Sequence, residues 1–150
     1  MPGCTLRVMR VLLLGCLISL AGCAANPPAR APVKPGEEFT LALGESVGID
    51  QSGVSVGFKA VVEDSRCPMN ARCIWEGNAR IAIQVSEFTA GRPADTYDVA
   101  AGKIELNTST RFNTREKIAG FVIELRRLEP DRVAGAQTRG YVATLFVGTP

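Results

Sequence analysis

Val54-Ser55-Val56-Gly57-Phe58-Lys59-Ala60-Val61-Val62 sets apolar side chains at 54, 56, 58, 60 and 62, with mostly small or polar residues between them. A period of two is the mark of a half-buried strand, with one face on a core and the other in water. The same alternation recurs downstream at Ile81, Ile83 and Val85, at Phe121, Ile123 and Leu125, and at Tyr141, Ala143, Leu145 and Val147. Upstream it appears at Phe39, Leu41 and Leu43. Turn-forming residues separate the runs: Asp50-Gln51-Ser52-Gly53, Gly91-Arg92-Pro93-Ala94-Asp95, Asn107-Thr108-Ser109 and Glu129-Pro130-Asp131. Weaker strand patterns lie near 45–49, 96–100 and 110–118, and 113–119 has the composition for at most one helical turn. The expectation is an all-β domain over 37–150, an antiparallel β-sandwich or small barrel of seven to eight short strands.

Between the strand ending near Val62 and the strand starting near Arg80 lies Glu63-Asp64-Ser65-Arg66-Cys67-Pro68-Met69-Asn70-Ala71-Arg72-Cys73-Ile74-Trp75-Glu76-Gly77-Asn78-Ala79. Pro68 stiffens this segment, and Gly77-Asn78 permits positive φ for a turn. Cys73 and Trp75, two apart, share a face in extended backbone. Two uses of the segment follow. As a staple, it closes one end of the sandwich with Trp75, the chain's one indole, buried as a plug. As a recognition patch, it presents Arg66, Arg72, Trp75 and Glu76, because Trp and Arg dominate binding hot spots and a closed ring limits the entropy lost on binding. The expectation combines the two, with Trp75 as plug and Arg66 and Arg72 as contacts. Asp64, Ser65, Arg66, Cys67, Pro68, Cys73, Trp75 and Gly77 together resemble a signature of small, largely uncharacterised bacterial envelope lipoproteins, Asp-Ser-Arg-Cys-Pro-x4-Cys-x-Trp-x-Gly. That resemblance spans about fifteen residues strongly. It implies a secreted β-rich domain with a disulfide and brings no activity with it.

Ahead of the domain, Arg7 and Arg10 precede an apolar run over Val11–Leu20, and small residues lead into Cys23. This is the charged, apolar and small-residue order of a secretory signal, too short for the roughly 20 apolar residues of a comfortable membrane span. An ordinary signal peptide or an uncleaved anchor shares part of this pattern. More specifically, Leu20-Ala21-Gly22-Cys23 resembles the lipobox of bacterial lipoproteins. The resemblance implies that residues 1–22 are removed and that Cys23 is acylated on sulfur and, usually, on its new amino group. Ala24 after the Cys, rather than Asp, implies the outer membrane where the envelope has two membranes. Residues 23–36 then form a Pro- and Ala-rich tether that favours extended backbone, reaching at most roughly 40 Å.

Counting narrows the chemistry. Five Cys become a pair once Cys4 and Cys16 leave with the signal and Cys23 takes lipid. In an oxidising compartment Cys67 and Cys73 then read as a disulfide, worth roughly 2 kcal/mol for so small a ring. A reactive dithiol is the alternative, although redox sites favour Cys-x-x-Cys spacing. Removing Arg7 and Arg10 from the 17 basic residues leaves 15, equal to the 15 acidic ones, so no basic surplus points to nucleic acid or to an anionic membrane. Membrane attachment must come from lipid. The absence of His removes imidazole bases and His-containing zinc sites. Glu63 and Asp64 adjoin and point opposite ways in a strand, so they make no natural acid–base pair, and no EF-hand or phosphate-loop spacing occurs. No catalytic residues, metal site or cofactor are expected. The expected function is that of a non-catalytic binding or accessory domain in the envelope, with a protein partner. Inhibition of a hydrolase, or structural support of an envelope assembly, is the alternative.

Overall fold

A computed structural model of the protein describes residues 30–87 and 99–150, with 99–101 as backbone. The signal, Cys23, most of the tether, the turn at Gly91–Asp95 and the start of the strand expected at 96–100 lie outside the described residues. The described chain holds eight strands: β1 (Glu38–Ala42), β2 (Ser46–Ile49), β3 (Val54–Asp64), β4 (Ala79–Glu87), β5 (Val99–Asn107), β6 (Arg115–Ile118), β7 (Phe121–Glu129) and β8 (Val142–Gly148). They form two four-stranded antiparallel sheets, ordered β2-β3-β4-β5 and β1-β8-β7-β6. No described residue is helical, and 115–118, where a helical turn was conceivable, is strand.

The core lies between the sheets. Phe58, Ile81 and Leu106 from one sheet and Leu41, Ile123 and Leu145 from the other are fully buried, as alternation places them. Two expected core positions are displaced. Register shifts between Phe58 and Ala60 and between Val61 and Glu63 insert an extra residue each time into β3. Each bulge flips the inward set by one. Val61 packs against the core instead of Ala60, Val62 is exposed, and Asp64 faces inward beside Ala79 at the strand's end. A shift between Leu125 and Arg127 does the same in β7 and turns Leu128 into the core.

The two ends of the sandwich differ. At one end Val33 pairs with Ile49 in a parallel bridge, and the Gly36 N–H donates to the Val147 carbonyl at 2.7 Å. The domain's contacts thus begin inside the segment read as tether, before Glu37. β3 starts beside that bridge and runs to the other end, about 30 Å away at the usual rise per residue. There the 65–78 segment meets the loops after β5 and β7.

Candidate functional site

The 65–78 segment extends the β3–β4 hairpin. Beyond Asp64↔Ala79 the ladder continues as the Ser65 N–H donates to the Asn78 carbonyl and the Cys67 N–H to the Glu76 carbonyl, both at 2.7 Å. A disulfide joins Cys67 to Cys73, with a Cα–Cα distance of 6.0 Å. Gly77 has φ +78°, and a Cβ there would run into the Ser65 carbonyl oxygen and come within 2.7 Å of the Arg66 Cα. Only glycine lets the two sides of the hairpin approach so closely while holding that left-handed conformation.

Three further attachments fix the segment to the sandwich. Arg66 lies flat along the end of the second sheet, with its Nη1 donating to the Leu128 carbonyl at 2.6 Å and its Nη2 to the Pro130 carbonyl at 2.9 Å. Its Nε and Nη2 also make a forked pair with Asp64 at 2.9 and 2.7 Å, and the two side chains are only 13% and 7% exposed. The Tyr141 hydroxyl donates to Asp64 Oδ2, the oxygen that also accepts from Arg66 Nη2, at 3.1 Å. Burial alone would raise the Asp64 pKa, but the hydrogen bonds and charge of Arg66 outweigh it and hold the carboxyl below its ordinary value. Arg66 is raised in turn, chiefly by its hydrogen bond to Asp64. Tyr141 is raised first by burial and next by its bond to Asp64.

Asn78 supplies the second attachment. It is buried, its amide donates to the Asn107 Oδ1 at 2.8 Å, and its own Oδ1 accepts from the Ser109 N–H at 3.1 Å. The third is the disulfide ring itself. The Met69 N–H donates to the Arg132 carbonyl at 2.9 Å, and the Ala134 N–H donates to Asn70 Oδ1 at 2.7 Å. A rigid platform results.

The residues singled out in the sequence divide sharply. Arg66, expected as a contact, is an internal latch, because two carbonyls and a buried carboxylate at the sheet ends require its guanidinium. Trp75, expected as a buried plug, is 49% exposed, because the disulfide and Asn78 close this end without it. Arg72 and Glu76, also expected as contacts, are exposed. Ile74, absent from the expected set, is 104% exposed at the tip of the segment, and Met69 and Phe112 are exposed at the same end. The signal for Ile74 was present in the apolar triplet Cys73-Ile74-Trp75, which breaks the alternation of a half-buried strand. Phe112 belongs to the loop after β5, which bonds linking Asn78 to Asn107 and Ser109, and Ala79 to Thr108, bring here.

Two shallow clefts flank the platform. One, about 390 Å³, is lined by Trp75, Phe112, Glu63, Arg80 and Glu105, with Ser65, Asn78 and Asn107 behind them. The other, about 400 Å³ and more polar, runs along Cys67, Glu76, Gly77 and Thr108–Thr110. Among the described residues no group of three or more His, Cys, Asp or Glu is placed to hold a metal ion. No family model matches the chain, and neither a curated protein nor a solved structure matches it.

Proposed function

We propose that this protein is a lipid-anchored envelope domain that binds a partner without catalysis, through the end of the sandwich built on residues 65–78. The carrying observation is a contrast within one segment. Its backbone is fixed by a disulfide, a buried ion pair and a buried amide, yet it holds Ile74 and Trp75 out to solvent. Exposed large apolar side chains on an ordered scaffold mark interaction surfaces, and prior ordering lowers the entropic cost of binding. The lipobox-like junction at Cys23 supports attachment to the bacterial envelope. The bridge at Val33 supports a tether that enters at the opposite end, leaving the platform facing away from the bilayer. Ile74, fully exposed beside the stapled ring, also suits insertion into the cleft of a hydrolase.

The test is site-specific photocrosslinking in the native envelope. A crosslinking residue at position 74 is expected to give a defined adduct, identified by mass spectrometry, that Trp75→Ala diminishes. The same residue at Lys117, on the edge strand β6, is expected to give none. Trp75→Ala itself is expected to change stability by only about 0.5–1 kcal/mol, as half-exposed sites do. Equal labelling from positions 74 and 117, or none from 74, would overturn the reading.

A further inference from the structure

The cleft beside Trp75 has a lining that selects among ligand chemistries. Glu63 on β3 stands opposite Arg80 on β4, and Glu105 on β5, opposite Ala82, reaches Arg80 diagonally, giving acceptor, donor, acceptor across the outer face of the sheet. Their pairing is loose. The guanidinium lies 3.7 Å from Glu63 and 3.5 Å from Glu105, beyond the about 2.7–2.9 Å of a charge-assisted hydrogen bond. Arg80 Nε is buried with no hydrogen-bond partner. Trp75 and Phe112 supply apolar walls to the same cleft.

An anionic group would answer Arg80 but meet two carboxylates. A cation would answer the carboxylates and leave the guanidinium unanswered. A neutral polyol meets both needs, since each hydroxyl donates and accepts. The C–H face of a sugar ring also matches the flat apolar face of an indole or phenyl group. We propose that this cleft binds a sugar ring of a neutral oligosaccharide, a ligand class that rests on the reading of this end as a binding surface. Farther along β4, on the same outer face, Gln84 and Ser86 line a second shallow cleft with Ser46, Ser55, Gly57 and Lys59. From Arg80 to Ser86 is roughly 20 Å of strand, so the face accommodates a chain of sugars rather than one.

Trp75 is the single Trp of the full chain, so its fluorescence reports on this cleft alone. The full chain, in a detergent without sugar headgroups, is titrated with cellotetraose, chitotetraose and maltotetraose. At least one is expected to give a saturable change in Trp75 emission with a Kd of about 1 mM or tighter. Phe112→Ala and Glu105→Gln are each expected to weaken it at least about tenfold, while Lys117→Gln leaves it unchanged. Circular dichroism of both cleft variants checks that the fold persists. No saturable response to any of the three sugars, or a response that both cleft variants retain, overturns the proposal. A protein adduct from position 74 without a sugar response leaves the platform a binding surface, but for protein. The absence of both removes both readings.

Discussion

Asp64 and Arg66 show how two residues convert a connector into a platform. Their forked pair is nearly sealed from water, and Arg66 spends its remaining donors on main-chain carbonyls of Leu128 and Pro130. Removing one member of such a pair strands the other, a loss of about 3–5 kcal/mol. Arg66→Ala is therefore expected to lower stability by about that amount in urea melts, where a surface contact residue would change it by under about 0.5 kcal/mol. The pH dependence follows from the same pair. The Asp64 carboxyl is held below its ordinary value of 3.8 in the fold, so its stabilisation is present above that value. It is lost as pH falls through the lower folded value, where the folded carboxylate takes up its proton. Asp64→Asn is expected to flatten that acid limb. An unchanged acid limb in Asp64→Asn would show that other carboxylates dominate the acid unfolding.

The β3–β4 hairpin marks how far the sequence can be read at the scale of an element. Alternation at Val54, Val56 and Phe58, and at Ile81, Ile83 and Val85, was enough to identify both strands and their inward faces. It failed beyond Phe58, because a bulge needs no particular residue type and its effect is to change parity. The second bulge restores the parity that the first one changed, so Asp64 lies on the face that alternation from Val54 gives it. The latch was invisible because the carbonyls that hold Arg66 there, Leu128 and Pro130, are 62 and 64 residues away in sequence. The disulfide was legible from Cys counting, and the exposure of Trp75 was not, since no local pattern shows that other groups already close the end. The disulfide's role is testable by itself. Its ring is small and is docked on the neighbouring loop by the Met69 and Asn70 bonds, which do not involve the sulfur atoms. Reduction is expected to cost roughly 2 kcal/mol without unfolding the sandwich. Alkylation of both Cys in unreduced, natively purified protein would refute the expected bond.

For the whole molecule, the polarity of the sandwich makes the proposed anchor and the platform separable. Val33 and Gly36 join the domain at the start of β3, and the platform rises from its far end, about 30 Å away. The Pro-containing sequence between Cys23 and Val33 can reach at most about 30 Å, so on the proposed lipidation of Cys23 the platform, at the far end of the sandwich, would face away from the bilayer. Two or more acyl chains suffice for stable retention, whereas one is marginal. Among the described residues the buried core begins at Phe39, with Val33 packed against it. Cys23→Ser is therefore expected to leave the melting midpoint of the domain and the Trp75 emission unchanged, while moving the protein from the membrane fraction or leaving it unprocessed. Mass spectrometry of the wild-type amino terminus checks the same point directly, with an acylated Cys23 as the expected first residue. An intact Met1 terminus in wild-type protein would refute the anchor. A melting midpoint lowered by Cys23→Ser would mean that the amino-terminal segment belongs to the fold, and the separation of tether from platform would fall with it.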